Sequence, residues 1–257
     1  MKYAAIFCLT TALSLGPACA DEEADRKRIQ DEGTARGREN LRQIEIDLAS
    51  LHDNPSDALL MRLANRLPLL ANDYRFHELR EEASRGYAAV KKALLETPGH
   101  AEVYERRLLG FRAEVEARKR TWNDFHFTGT QMVRILPHLQ SAETMRVLGR
   151  MLEDTKGSTP ETAFFNQAKE SFNQPPVSSA EYAVVALHRI GIQEPPVAMN
   201  ERTEFLVVGE PMTLKIDWQR WWQEVRDGKR TYRFTGSDVE YGYDGPVKTT
   251  SPSVGGE

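Results

Sequence analysis

The chain has 257 residues, of which 40% are hydrophobic, 28% charged and 9% aromatic, with a formal net charge of −4 at pH 7. This apolar share builds a core and excludes global disorder, and the length fits one large domain or two small ones. After the first 20 residues no apolar run is long enough to span a bilayer, and the acidic balance speaks against a general nucleic-acid binder.

The N-terminus reads as a secretory signal peptide, residues 1–20. Lys2 gives the positive start, residues 3–15 the apolar stretch, Gly16 and Pro17 a helix break, and Ala18-Cys19-Ala20 a small-residue cleavage site before Asp21. A periplasmic or secreted protein is therefore expected. A lipid anchor at Cys19 is the alternative, although Gly16 and Pro17 fit a lipoprotein signal poorly. Cleavage after Ala20 would remove Cys8 and Cys19, the chain's 2 cysteines. Disulfides, thiol nucleophiles and cysteine zinc sites would go with them, leaving packing to supply stability.

Residues 21–40 are charged and mixed in sign, and Gly33 and Gly37 weaken a helix, so a linker or frayed helix is expected there. From residue 41 to 125 the pattern predicts a bundle of antiparallel helices. Leu41, Ile44, Leu48 and Leu51 form one stripe, and Asn54-Pro55-Ser56-Asp57 forms a turn and a helix start. Leu59, Leu60, Leu63, Leu67 and Leu70 mark the next helix, with a break expected near Pro68. A third helix is predicted over 73–96 and a fourth over 100–122, separated by Thr97-Pro98-Gly99.

Residues 123–130 (NDFHFTGT) read as a break. Beyond it, a short helix carries Pro137, and Ser141 caps a helix bearing Met145, Leu148, Met151 and Leu152. A looser stretch follows over 155–177. Ser178 and Glu181, three apart, form a capping box that opens a helix closed by Gly191. Ser141-Ala142-Glu143 recurs as Ser179-Ala180-Glu181, a short internal echo of the kind stacked helical hairpins leave. Residues 131–154 (QMVRILPHLQSAETMRVLGRMLED) with 183–192 (AVVALHRIGI) resemble bacterial HEAT-repeat proteins. Residues 218–232 (WQRWWQEVRDGKRTY) resemble a tail that follows such repeats in exported bacterial proteins. The resemblance spans about residues 131–245 and implies a short α-solenoid over 126–228 with a protein-binding or scaffolding role.

Residues 201–212 hold a short apolar run, and Asp217 is placed to cap the helix carrying Trp218, Trp221, Trp222 and Val225. Residues 229–257 should form a strand at 231–235 and then a disordered tail. The three tryptophans either cover the end of the core or present an aromatic platform to a peptide or sugar, which makes them the candidate binding residues.

No catalytic signature is present: no H-E-x-x-H, no G-x-S-x-G and no phosphate-binding glycine loop. His52, His77, His100, His126, His138 and His188 are scattered, with no metal-ligand spacing. Asp124 and His126 lie close enough to be half of a hydrolase site, which needs a nucleophile such as Thr128 or Ser141 beside them. The chain thus reads as a mainly α, exported, non-catalytic scaffold that binds a protein or peptide, without cofactor or metal. A hydrolase near Asp124 and His126, or a carbohydrate-binding module at Trp218–Trp222, is the alternative.

Overall fold

The computed structural model describes residues 17–72, 78–117, 119, 122–154, 178–197 and 212–247, and they are mainly helical. The expected segments at 155–177 and 201–211, the start of the predicted 73–96 helix, and the tail from 248 lie outside the described residues.

α1 runs from Pro17 to Asp53, so the charged stretch expected as a linker or frayed helix is one helix with the leucine stripe. The reason lies in its buried positions. Thr34 and Gly37 are buried, and Leu41, Ile44, Leu48 and Leu51 continue the same three-and-four spacing. Small residues thus extend the buried seam where no large apolar residue advertises it. The outer part of α1 is fastened by polar contacts: Gln30 and Thr34 both donate to Glu78, the latter at 3.0 Å.

α2 (Asp57–Ala64) starts where Ser56 accepts from the Leu59 amide at 3.3 Å. α3 (Leu67–Asn72) places Pro68 in its first turn, where a missing N–H costs nothing, and the expected break falls just before it at Asn65–Arg66. α4 (Arg80–Glu96) buries Ala83, Val90 and Leu94, and ends before Gly99, whose φ of +86° glycine alone adopts freely. α5 (Glu102–Glu116) buries Tyr104, Leu108, Arg112 and Val115 on one stripe.

Residues 123–130, expected as a break, are helical within α6 (Trp122–Ile135). Phe125, Thr128, Gly129, Met132 and Val133 are its buried face, a helical period made partly of loop-type residues. A Cβ on Gly129 would sit 2.5 Å from the Tyr182 ring, so glycine is there for close approach rather than to end the helix. Pro137 falls in a 3-10 turn, Leu136–His138.

α7 (Ala142–Glu153) is capped as expected, with Ser141 Oγ accepting from the Thr144 amide at 3.0 Å. α8 (Ser179–Arg189) follows Ser178, and half of the expected capping box is built: the Glu181 carboxylate accepts from the Ser178 backbone N–H, while the Ser178 hydroxyl makes no cap hydrogen bond. α8 is the central helix, packed by α6, α7 and α9 (Met212–Arg226) and buried at nearly every position.

β1 (Tyr232–Arg233) pairs antiparallel with β2 (Glu240–Tyr241), Tyr232 opposite Tyr241. This hairpin is tied to the end of α8 through an Ile192–Phe234 bridge and a Thr235 N–H donated to Gly191 at 2.6 Å. The buried apolar side chains from Ile44 to Phe234 form one contiguous cluster.

Candidate functional site

The candidate binding residues come first. Trp218, Trp221 and Trp222 are 0%, 4% and 3% exposed, so the structure places them in the core and offers no ring as an open platform. Trp218 meets Trp221 edge-on at 5.5 Å, Trp221 meets Tyr232 at 5.8 Å, and Trp222 meets Tyr243 at 5.6 Å. Trp222 also lies against Gly149 of α7, where any Cβ would overlap the indole. The helical spacing that suggested a platform instead fits a lid: three rings at spacings of three and four clamp α9 onto α7 and the hairpin.

The candidate dyad is not assembled. Asp124 and His126 both lie on α6, two residues apart, and side chains at that spacing point to different faces of a helix. His126 Nδ1 is 2.6 Å from the Tyr182 hydroxyl, and its other ring nitrogen is buried without a partner. Burial pushes its pKa down. Thr128 donates to the Asp124 carbonyl at 3.0 Å, a contact inside the helix backbone, and Ser141 has other partners.

Those other partners form an arrangement the sequence did not expose. His100 Nδ1 lies 3.0 Å from the Thr97 carbonyl, which can only accept, so this nitrogen carries the proton. Nε2 then accepts from Ser141 Oγ at 2.9 Å. Glu143 stands 3.5 Å from the same ring, so hydroxyl, imidazole and carboxylate are in sequence. Their remaining contacts make this a staple between helices rather than a nucleophile site. The Glu143 carboxylate accepts from the amides of Gly99 and Ala101 at 3.0 and 2.8 Å, at the N-terminus of α5. Ser141 Oγ is occupied by the Thr144 amide, and the His100 ring is buried. The amides that would stabilise an oxyanion are already committed to Glu143 and Ser141.

A cavity of about 270 Å³ opens between α5, α7 and the start of α8. Leu108, Leu109 and Met151 supply its apolar lining, and Leu109 is 46% exposed. On one side, buried Arg112 donates to Asp154 and, at 3.2 Å, to Ser179 Oγ, while Ser179 donates to Asp154. The Arg112 guanidinium also lies 5.2 Å from the centre of the Phe125 ring. On the other side Arg150 holds Glu105 with a fork of hydrogen bonds at 2.5 to 3.2 Å, and these push the Arg150 pKa up further.

Each charge in the wall therefore has an opposite charge of the protein beside it. The Ser179 hydroxyl donates to the Asp154 carboxylate, and the Arg112 guanidinium paired with that carboxylate weakens it as a base. What such a cavity can take is an apolar side chain, with a rim able to exchange hydrogen bonds with a backbone. Arg112 was legible as a lone charge on the Tyr104–Leu108–Arg112–Val115 stripe, but Asp154 and Ser179 fall in unremarkable positions. A second cavity of about 270 Å³ lies between α3 and α6, with Pro68, Leu69 and Ile135 in its wall.

Among the described residues no group of three or more histidine, cysteine or acidic side chains is placed to hold a metal ion. No helix among them is long and apolar enough to cross a membrane. Comparison with protein-family models, with curated proteins and with solved structures finds no match to this chain.

Proposed function

We propose that this chain is an exported helical scaffold that binds a protein or peptide partner through the α5–α7–α8 cavity. In this reading the second half is a short HEAT-like stack in which α7 and α8 are the repeated helices. Export rests on the signal-like residues 1–20, from Lys2 through Ala18-Cys19-Ala20. The observation that carries the binding reading is the cavity itself. Its apolar floor is half open at Leu109, while Arg112 and Arg150 are each neutralised by an acid of the protein. Such a wall favours a segment bearing a large uncharged side chain over a charged metabolite.

Selection of a displayed peptide library on the purified protein tests this. Peptides carrying a large apolar anchor should be enriched, and their affinity should fall at least about tenfold for Leu109→Asp, the loss of one anchored contact. Failure to enrich any peptide, or binders indifferent to Leu109→Asp, would refute the site.

A further inference from the structure

α4 meets the 3-10 turn after α6 through a polar cluster away from the cavity. The Tyr87 hydroxyl is 3.0 Å from His138 Nδ1, and the two rings stand edge-on with centroids 5.7 Å apart. Lys91 follows Tyr87 by one turn of α4, so the two side chains share a face. Tyr87, Lys91 and His138 are all half-buried.

The charges around this cluster are one-sided. The neighbouring Lys92 has Glu96 at 3.9 Å, whereas Lys91 has no ion-pair partner among the described residues. Burial pushes the Lys91 pKa down, and no acid among the described residues opposes that effect. The His138 pKa is lowered by burial first and by the Lys91 charge second, again without a carboxylate among the described residues to offset them. Positive charge is therefore held in a partly desolvated place with no counter-charge among the described residues, unlike either side of the α5–α7–α8 cavity.

We propose that Tyr87, Lys91 and His138 form a binding site for a small oxyanion, a phosphate or a carboxylate. Lys91 supplies the ammonium. His138 supplies an N–H from Nε2, which carries the proton of the neutral ring when Nδ1 accepts from Tyr87 and keeps it when the ring is protonated. The phenol can donate to a neutral Nδ1 or accept from a protonated one, so the ring keeps its orientation in both states. An anion bound there removes the mutual cost of the two cations, so binding raises the His138 pKa.

The test is NMR of the full chain with labelled histidine, titrated in parallel with inorganic phosphate, acetate and sodium chloride at matched ionic strength. His138 should shift saturably with phosphate or acetate, and its pKa should rise, while chloride leaves it in place. The anion that saturates at the lower concentration identifies the preferred geometry. Lys91→Met should weaken that response about tenfold, as expected for loss of one charge-assisted contact. Tyr87→Phe, which keeps the ring packing, should weaken it less. A His138 shift that follows ionic strength equally in all three salts overturns the proposal, as does a saturable shift of the same strength in Lys91→Met.

Discussion

Around Leu63, helices α1, α2, α4 and α5 meet through stripes of leucine, valine and alanine, whereas α6 to α9 meet by setting aromatic rings against glycine. In the first region a Cβ added to Gly86 would come 3.2 Å from the end of the Leu41 side chain, a flexible neighbour. In the second, Gly129 carries the Tyr182 ring and Gly149 the Trp222 indole, both rigid and both buried. Stripe packing is tolerant of added volume and sensitive to lost volume. Ring-on-glycine packing is the reverse, because a planar ring at van der Waals contact cannot yield without moving a helix.

This contrast can be broken by substitution. The largest effects should come from opposite changes in the two regions. Leu63→Ala removes a fully buried side chain and should cost about 3 kcal/mol, and Gly149→Ala, which only adds a methyl group, should cost as much. Urea unfolding measures both. Combining Gly149→Ala with Trp222→Leu should recover at least about 1 kcal/mol over the sum of the single changes, because the second makes room for the first. If Gly149→Ala is neutral, α7 and α9 do not approach as described.

Gly129→Ala should follow at about 2 kcal/mol, since the Tyr182 ring is tethered by His126 and cannot swing aside freely. Ser141→Ala should cost about 1 kcal/mol by removing the α7 cap, and it also strips His100 Nε2 of its partner. Gly86→Ala should lie within about 1 kcal/mol of zero, the helix-propensity gain offsetting the contact with Leu41.

Acid sharpens the same comparison. Burial lowers the pKa of His126, His138 and His188, all from α6 onward, so each binds protons less readily when folded than when unfolded. Stability should therefore be full above the ordinary histidine pKa of about 6.5 and fall as pH drops below it, when the unfolded chain takes up protons first. Thermal melts at pH 7 and pH 5 should show that loss, and His188→Leu should reduce it. A melt unchanged between the two values would contradict the burial of these rings.

The sequence made the stripe-packed region readable because its buried positions are leucines at helical spacing and its turns carry Ser56, Pro68 and Gly99. Ser141 was equally legible as a cap. The sequence misreads 123–130 as a break and leaves 21–40 open between a linker and a frayed helix for one physical reason. Thr34, Gly37, Thr128 and Gly129 are buried small or polar residues, and composition assigns such residues to linkers and loops. Only the partner helix shows that their smallness is used. The site was less legible still. Its ion pairs join Arg112 to Asp154 and Arg150 to Glu105, separations of 42 and 45 residues that no local pattern encodes. The tryptophans drew attention as candidate contacts because of their density, yet density at helical spacing is equally what a core lid requires.

The claim that the α5–α7–α8 cavity receives a peptide is tested most directly by methyl NMR of the full chain with a selected peptide added. The methyl signals of Leu108, Leu109 and Met151 should move together and saturate, while those of Leu63 and Leu94, deep in the stripe-packed region, stay fixed. Movement confined to other methyl groups, with these three unchanged, would place the binding surface elsewhere and contradict the account.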